Sequence, residues 1–346
     1  MKRINTLEQD IKWHFKRKRS KKRTLNILKT IENYRGKTDS KLIKLSDEYA
    51  KEVLGSKNYA PWLYVYAAIQ NKFEEGWIPE NYYIEEVVPR TKGDYGKLAD
   101  RNFMTPFLFS NLSTLDLGYY LNGKFCSAKN EIISTEALKD YLFKDCDKLV
   151  YKLENSRQGK GVFVMDKDNF DISVCKTGRY NNGVFQKFIK QHPFFSDFTS
   201  NSLATIRITT TSDSLGKVSV NCGYIRFGRD THTHILSNSA VSVPIQINTG
   251  ELDTKAYLKW KEIDKHPDSK IAFTKKQIPN FQKCLAKVIE MHNTIPFMGC
   301  IGWDIIVDES EDVQLIEWNG NHNNIKLNEA TSGPCFKDLN WENLWR

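Results

Sequence analysis

The chain has 346 residues, 40% of them hydrophobic and 12% aromatic, which is enough to bury one large core or two lobes and excludes disorder for most of its length. Its formal charge of +9 sits at one end: residues 1–23 hold ten Lys and Arg against two acids, eight of the nine net charges, so a basic nucleic-acid-binding face spread over the whole chain is not expected. Seven cysteines, at 126, 146, 175, 222, 284, 300 and 335, form no C-x-x-C pair, which excludes a disulfide framework and points to reduced thiols in the cytoplasm.

In chain order, residues 1 to about 80 read as helical. Ile4, Leu7, Ile11 and Phe15 recur at helical spacing ahead of the run Lys16-Arg17-Lys18-Arg19-Ser20-Lys21-Lys22-Arg23. This segment reads either as a solvated, partly disordered arm or as a basic amphipathic helix that an anionic membrane surface would attract. Periodicity continues through Leu42, Leu45, Tyr49 and Val53 and then through Tyr64, Ala67 and Ala68, with Pro61 and Pro79 as punctuation. No stretch approaches the ~18 consecutive apolar residues of a spanning helix, and the N-terminus lacks a signal-peptide core, so the expected location is cytoplasmic.

Residues 98–133 show no regular pattern. Ser134 then offers an N-cap to a short helix through Ala137, Leu138, Tyr141 and Leu142, and the texture changes to strands. Segments 149–153, 162–165, 184–189, 204–211, 218–227 and 241–247 are rich in Val, Ile, Thr and aromatics. Pro279 opens a helix through Phe281, Leu285, Val288 and Ile289, and strands at 300–307 and 313–318 close the pattern.

Those closing strands read as a hairpin joined by Glu309-Ser310-Glu311-Asp312. If Asp308 pairs with Val313, Trp303 faces Trp318, Ile305 faces Ile316 and Ile306 faces Leu315, while Asp304 falls opposite Glu317. Two carboxylates across one ladder repel unless positive charge lies between them, and a bound Mg²⁺ would supply it. Asn319 lies on the same face and offers a neutral oxygen to the same hard cation. The alternative is a pair of surface acids at a wet edge, against which the flanking Ile and Trp argue.

Upstream, Lys152 sits in a strand followed by a polar loop that returns through Gly159-Lys160-Gly161. Such a loop can close over phosphates with its backbone N–H groups, although the same tripeptide also suits an ordinary hairpin turn. The strand at 184–191 stops at His192-Pro193, as a hinge or as an interior strand ended by proline. Arg207 and Arg226 lie in apolar strands and each wants an anion, either a structural carboxylate or a substrate group. His232 and His234 alternate in a way compatible with zinc but lack further ligands at suitable spacing. No nucleophile motif is legible, and Trp341 and Trp345 read as packing residues.

In this order, Lys152, the glycine-containing loop 155–161, the segment 184–191, Arg207 and the final Asp304, Glu317 and Asn319 resemble the ATP-grasp superfamily. S202-L-A-T-I-R207, R226-F-G228, G299-C-I-G-W-D304 and L315-I-E-W-N319 most resemble its sugar-transfer-associated branch, over residues 90 to 335. The resemblance implies an α+β fold, two α+β subdomains clasping ATP. A helical N-terminal region, 1–90, would precede a domain over 91–340, with a lid subdomain at about 130–190 and a metal-binding subdomain at about 191–335. It implies Lys152, Gly159, Lys160 and Gly161 at the phosphates, Gln186, Lys187, Phe188 and Ile189 at the adenine, and Arg207, Arg226 and Lys160 steadying the transferring group. Asp304, Glu317 and Asn319 would hold Mg²⁺, and Asn238 would contact substrate. The tail Gly320-Asn321-His322-Asn323-Asn324 departs from the small residue and Pro-Gly common in relatives, which bears on acceptor recognition.

The resulting expectation is an ATP- and Mg²⁺-dependent carboxylate–amine ligase acting on small or saccharide-linked acids and amines in surface polysaccharide or peptide-like product synthesis. A phosphotransferase passing the phosphoryl group to a hydroxyl is the second reading. A non-catalytic module docking nucleic acid or membrane through its basic end is the third, and the metal triad argues against it.

Overall fold

The computed structural model describes residues 2–109, 115–154, 161–176, 182–229 and 239–346, with residues 2–13 as backbone only. The chain divides into two compact units: Met1–Gly93 with Trp260–Glu262 and Asn324–Arg346, and Asp94–Lys259 with Ile263–Asn323.

The first unit is helical. It contains α1 (Lys2–Arg35), α2 (Ser40–Glu52), α3 (Ala60–Gln70) and a short helix at Lys326–Thr331. Thr24, Leu28 and Ile31 recur on the buried side of α1, seven and three or four residues apart as one helical face requires. Arg17 extends that face and grips Glu85 through two hydrogen bonds, Nε to Oε1 at 3.2 Å and Nη2 to Oε2 at 2.6 Å. The basic run 16–23 therefore belongs to a continuous helix and not to a partly disordered arm, as suits Lys and Arg, which lose little freedom in a helix. In α2 the buried residues are Ser46, Tyr49 and Ala50, and Leu45, expected in the stripe, is exposed. Glu329 is fully buried here and accepts the backbone N–H groups of Ile78 and Cys335, each at 2.7 Å. Burial pushes its pKa up to about 8 in spite of those two donors. Among the described residues no helix is long and apolar enough to cross a membrane.

The second unit carries two antiparallel sheets, except that Lys261 and Glu262 of the larger sheet are counted with the first unit. The smaller contains β1 (Asp116–Leu121), β2 (Lys124–Ser127), β3 (Ile132–Ile133), β4 (Lys148–Leu153), β5 (Val162–Asp166) and β6 (Gly183–Lys187), in the order β3-β2-β1-β6-β4-β5. Helix α4 (Thr135–Leu142) starts at Ser134, whose side chain accepts from the N–H of Ala137. Strands β1 to β3 occupy the stretch that lacked a pattern in sequence. Asn122 and Gly123, both with positive φ, make the two-residue turn that joins β1 to β2, an Asn-Gly hairpin signal present in the sequence and passed over.

The larger sheet contains β7 (Thr205–Ser212), β8 (Val218–Phe227), β9 (Val241–Pro244), β10 (Ala256–Leu258), β11 (Lys261–Ile263), β12 (Cys300–Val307) and β13 (Val313–Asn319). Its order is β11-β10-β9-β8-β7-β12-β13. Alternation divides its strands. Ile206, Ile208, Ile225, Phe227, Val241, Val243, Ile301, Trp303 and Ile305 enter one core with Val288 and Met291 of helix α5 (Phe281–Asn293). The intervening residues Arg207, Tyr224, Arg226, Asp304 and Glu317 share the opposite face. No disulfide joins any of the seven cysteines.

Candidate active site

The edge of the larger sheet carries the paired carboxylates. Trp303 lies opposite Trp318 and Asp304 opposite Glu317, after which the register shifts so that Ile305 faces Leu315, Ile306 faces Gln314 and Val307 faces Val313. Three expected pairings, Ile305–Ile316, Ile306–Leu315 and Asp308–Val313, are thereby corrected. A bulge at Ile316 adds one residue to β13 and leaves Ile316 with no residue opposite it. The turn also differs: the Asp308 N–H donates to the Asp312 carbonyl at 2.9 Å, Glu311 has φ 63°, and the loop proper is Glu309–Glu311. Such a three-residue connection needs a left-handed residue at its last position.

Asp304 is 3% exposed and lies directly across from Arg207, itself 5% exposed. The Arg207 fork donates Nε to Oδ1 and Nη2 to Oδ2, both at 2.6 Å, and Arg226 Nη2 approaches Oδ1 at 2.9 Å. The positive charge demanded by the carboxylate pair is thus partly supplied by two guanidinium groups, which weakens the deduction of a metal from repulsion alone. Burial drives the Asp304 carboxyl upward, but the charges and hydrogen bonds of Arg207 and Arg226 outweigh it and leave the pKa below the ordinary value.

All three guanidinium nitrogens of Arg207 have an acceptor, because its Nη1 donates to Asn323 Oδ1 at 3.3 Å. Asn323 is buried and donates in turn to Thr209 Oγ1 at 3.0 Å. A Cβ on Gly302 would lie 2.0 Å from Asn323 Oδ1, so glycine there is what admits the carboxamide. Arg226, by contrast, retains a buried Nε–H with no acceptor among the described residues.

Glu317 makes no hydrogen bond or ion pair to a described residue, and it is exposed to solvent. Partial desolvation by the surrounding cleft raises its pKa, Asp304 adds to the effect, and Arg207, Lys152 and Arg226 oppose it. Asn319 turns its Nδ2 toward Gly302 O and Asp304 Oδ2, each at 3.4 Å, which leaves Oδ1 uncommitted.

The smaller sheet supplies Lys152 from β4. Its ammonium donates to the Ile316 carbonyl at 3.3 Å, the carbonyl of the extra residue in the bulge. Desolvation lowers its pKa against the pull of Glu317, Asp116 and Asp304. Gln186 lies opposite Asp116 and donates Nε2 to Oδ1 at 2.7 Å, and Tyr119 OH donates to Oδ2 at 2.7 Å. A cavity of about 40 Å³ adjoins this network, lined in part by Leu115, Asp116, Gln186, Ile316 and Glu317. Beyond Gln186, the Lys187 N–H is taken by the Leu115 carbonyl at 2.8 Å. Phe188 and Ile189 leave the strand without a backbone hydrogen bond to a described residue; Phe188 is exposed, and the Ile189 side chain is in the core. Gly161 accepts from the Leu153 N–H at 2.9 Å. Gly159, Lys160, His232, His234 and Asn238 lie outside the described residues.

The structure therefore brings Lys152, Gln186, Arg207, Arg226, Asp304, Glu317 and Asn319 to one cleft within the second unit. Asn323, Asp116 and Tyr119 belong to it as well, although the sequence does not single them out; Asn323 stands there only as part of a divergent tail. The donor set fits a hard divalent cation. Glu317 and Asn319 hold uncommitted oxygens, and Asp304 would share a lone pair not used by its guanidinium partners. Lys152, Arg207 and Arg226 are balanced by Asp116, Asp304 and Glu317, so a polyphosphate entering this cleft needs further positive charge, which a divalent cation would bring.

A family model described as "Sugar-transfer associated ATP-grasp" matches residues 124–338. A comparison with the curated proteins finds no match. Among solved structures, N5-carboxyaminoimidazole ribonucleotide synthetase from Thermotoga maritima is similar at 7% identity and a TM-score of 0.38, with 76% of this chain and 55% of that one covered. Biotin carboxylase from Campylobacter jejuni, in complex with β-γ-ATP, is similar at 13% identity and a TM-score of 0.45, covering 92% and 68%. The D-Ala:D-Ser ligase of Enterococcus faecalis is similar at 10% identity and a TM-score of 0.44, covering 72% and 61%. The chain spans about half the length of the first of these, 55%.

Proposed function

The chain belongs to the sugar-transfer-associated ATP-grasp family, and from that premise we propose that it is an ATP- and Mg²⁺-dependent ligase that activates a carboxylate and joins it to an amine. One observation carries the reading. Lys152 of the smaller sheet reaches the bulged edge of the larger, where the Glu317 carboxylate and Asn319 Oδ1, neither bonded to a described residue, lie beside the clamped Asp304. That is a phosphate-binding cation next to a hard-metal ligand set, with no protein nucleophile required.

In this proposal Glu317, Asn319 and Asp304 hold Mg²⁺, which would neutralise phosphate oxygens and orient them. Lys152 leaves the Ile316 carbonyl to pair with a phosphate, a favourable exchange of a neutral acceptor for an anionic one. Arg207 remains on Asp304 and Asn323 and fixes the position of the carboxylate. Arg226, with its uncommitted Nε–H, is the guanidinium that meets charge developing on the transferring phosphoryl group or on the acid. Phe188 and Ile189 offer free backbone groups to an adenine edge, next to Gln186 and the cavity. Saccharide-linked acids and amines of a surface polysaccharide are the substrate class in this proposal, for which the words "sugar-transfer associated" in the family description are the support.

Melting the protein with Mg²⁺ alone, with ATP alone and with both tests the reading, because a ligand bound only by the native state raises the melting temperature. A shift requiring both supports it. No shift at millimolar nucleotide in the wild type sinks it. A product screen then separates an amide with free phosphate from a stable phosphate ester, which would mark phosphoryl transfer to a hydroxyl.

A further inference from the structure

Eight of the chain's nine net positive charges lie in residues 1–23, and the candidate active site uses none of them. Within α1, Thr24, Leu28 and Ile31 face inward. At 3.6 residues per turn the opposite side carries Phe15, Lys18, Arg19, Lys22, Asn26 and Lys29, all of them exposed. Lys16, Lys21 and Arg23 flank this face and are exposed too. Of the basic residues from 16 to 23, only Arg17 makes a salt bridge among the described residues.

Phe15 stands 65% exposed at the head of this basic face and Leu25 38% exposed along its flank. From Phe15 to Lys29 the helix runs about 20 Å. It presents no acid on the outward side and no carboxylate of its own that could neutralise the four cations there. We infer that the outward face of α1 between Phe15 and Lys29 docks on an anionic lipid bilayer, with its lysines and Arg19 at the headgroups and Phe15 entering the headgroup–acyl boundary.

Both parts of the face favour that occupant. Clustered Lys and Arg on a helix are drawn to the negative surface potential of anionic lipid, each adding to the attraction, and an aromatic residue among them gains by leaving water at the boundary. A nucleic-acid backbone would take the charges equally well but offers no apolar layer to Phe15 and Leu25. Attachment by this face is peripheral and reversible, because it rests on charges at the headgroups and one aromatic ring at the boundary.

The test is flotation of the full chain with vesicles of phosphatidylcholine alone and of phosphatidylcholine mixed with phosphatidylserine. Binding to the mixed vesicles, falling with added salt, and little binding to the neutral ones is expected. The variant Lys18→Gln/Arg19→Gln/Lys22→Gln/Lys29→Gln should partition several hundredfold less, about 600-fold, at unchanged melting temperature, since each of the four charges near the surface is worth roughly a fivefold factor. Phe15→Ser should weaken binding while keeping its salt dependence. Equal binding to neutral vesicles, no binding to anionic ones, or full binding by the four-charge variant overturns the inference. Binding of duplex RNA that the four-charge variant loses, without vesicle binding by the wild type, would assign the face to nucleic acid instead. None of these readouts depends on ATP, so the docking face and the nucleotide site succeed or fail separately.

Discussion

Asp304 and Glu317 face each other across one ladder, yet their removal should have opposite consequences. Asp304→Asn withdraws the anion from Arg207, which is 5% exposed, and turns an amide NH₂ toward guanidinium donors that now sit at 2.6 Å from oxygen. Breaking one partner out of a buried pair costs about 3–5 kcal/mol, or ~6–20 °C in melting temperature for a domain of this size. Glu317→Gln removes a charge that has no partner among the described residues and repels Asp304, a cross-strand repulsion worth up to about 1 kcal/mol, so the ligand-free variant should melt level with the wild type or up to ~4 °C above it.

The advantage of that variant should grow with pH. An acid whose folded pKa is raised costs the protein stability as pH climbs through its ordinary value toward the folded one, and Gln has no such dependence. With Mg²⁺ and ATP at a hundred times Kd the wild type should gain about 2.7 kcal/mol, and Glu317→Gln should gain little. Differential scanning fluorimetry reads all of these values. A ligand-free Glu317→Gln protein that melts as low as Asp304→Asn, or one that keeps the full nucleotide shift, would refute the assignment of a clamped and a free carboxylate.

Three further outcomes are expected. Glu329, with a folded pKa of about 8, should contribute full stability at acid pH and lose it as pH rises from its unfolded value toward 8, so urea midpoints at about pH 5 and about pH 8.5 should differ more in the wild type than in Glu329→Gln. Gly302→Ala, whose Cβ would enter the place of Asn323 Oδ1, should cost about 1–3 kcal/mol; combined with Asn323→Ala the cost should be sub-additive by at least ~0.5 kcal/mol, and strict additivity would show that the two positions do not share the site. Lys152→Gln should leave the ligand-free melting temperature unchanged or higher, since desolvation already disfavours its charge, while nucleotide affinity measured calorimetrically falls at least tenfold.

Much of the fold was legible because the larger sheet obeys a period of two along β7, β8, β12 and β13; the Trp303–Trp318 and Asp304–Glu317 pairings followed from an Asp308–Val313 anchor that is one residue out, an offset that the extra residue Ile316 cancels. What alternation could not give was the order of strands. It marked Arg207 and Asp304 as polar positions in apolar strands but could not say that β7 and β12 are neighbours, so the guanidinium that clamps the carboxylate went unassigned. The bulge was hidden in the apolar doublet Leu315-Ile316, which fits either register. Strands β1 to β3 were missed although Asn122-Gly123 marks their turn, since Gly118 and the polar residues around them interrupt the pattern. Asn323 carries no signal of its own; only the absence of a side chain at Gly302, two strand positions from Asp304, reveals what it does.

The bulge at Ile316 divides the hairpin into two lengths with independent registers. The carboxylates are indexed from the Trp303–Trp318 end, where the two indoles stack at an interplanar angle of 24°, and the turn at 308–312 is indexed from the Val307–Val313 end. An insertion or deletion between Glu309 and Glu311 can then be absorbed on its own side of the irregularity without sliding Glu317 past Asp304. In evolutionary terms the turn is a place where length can drift among relatives while the chemical edge of the sheet stays in phase.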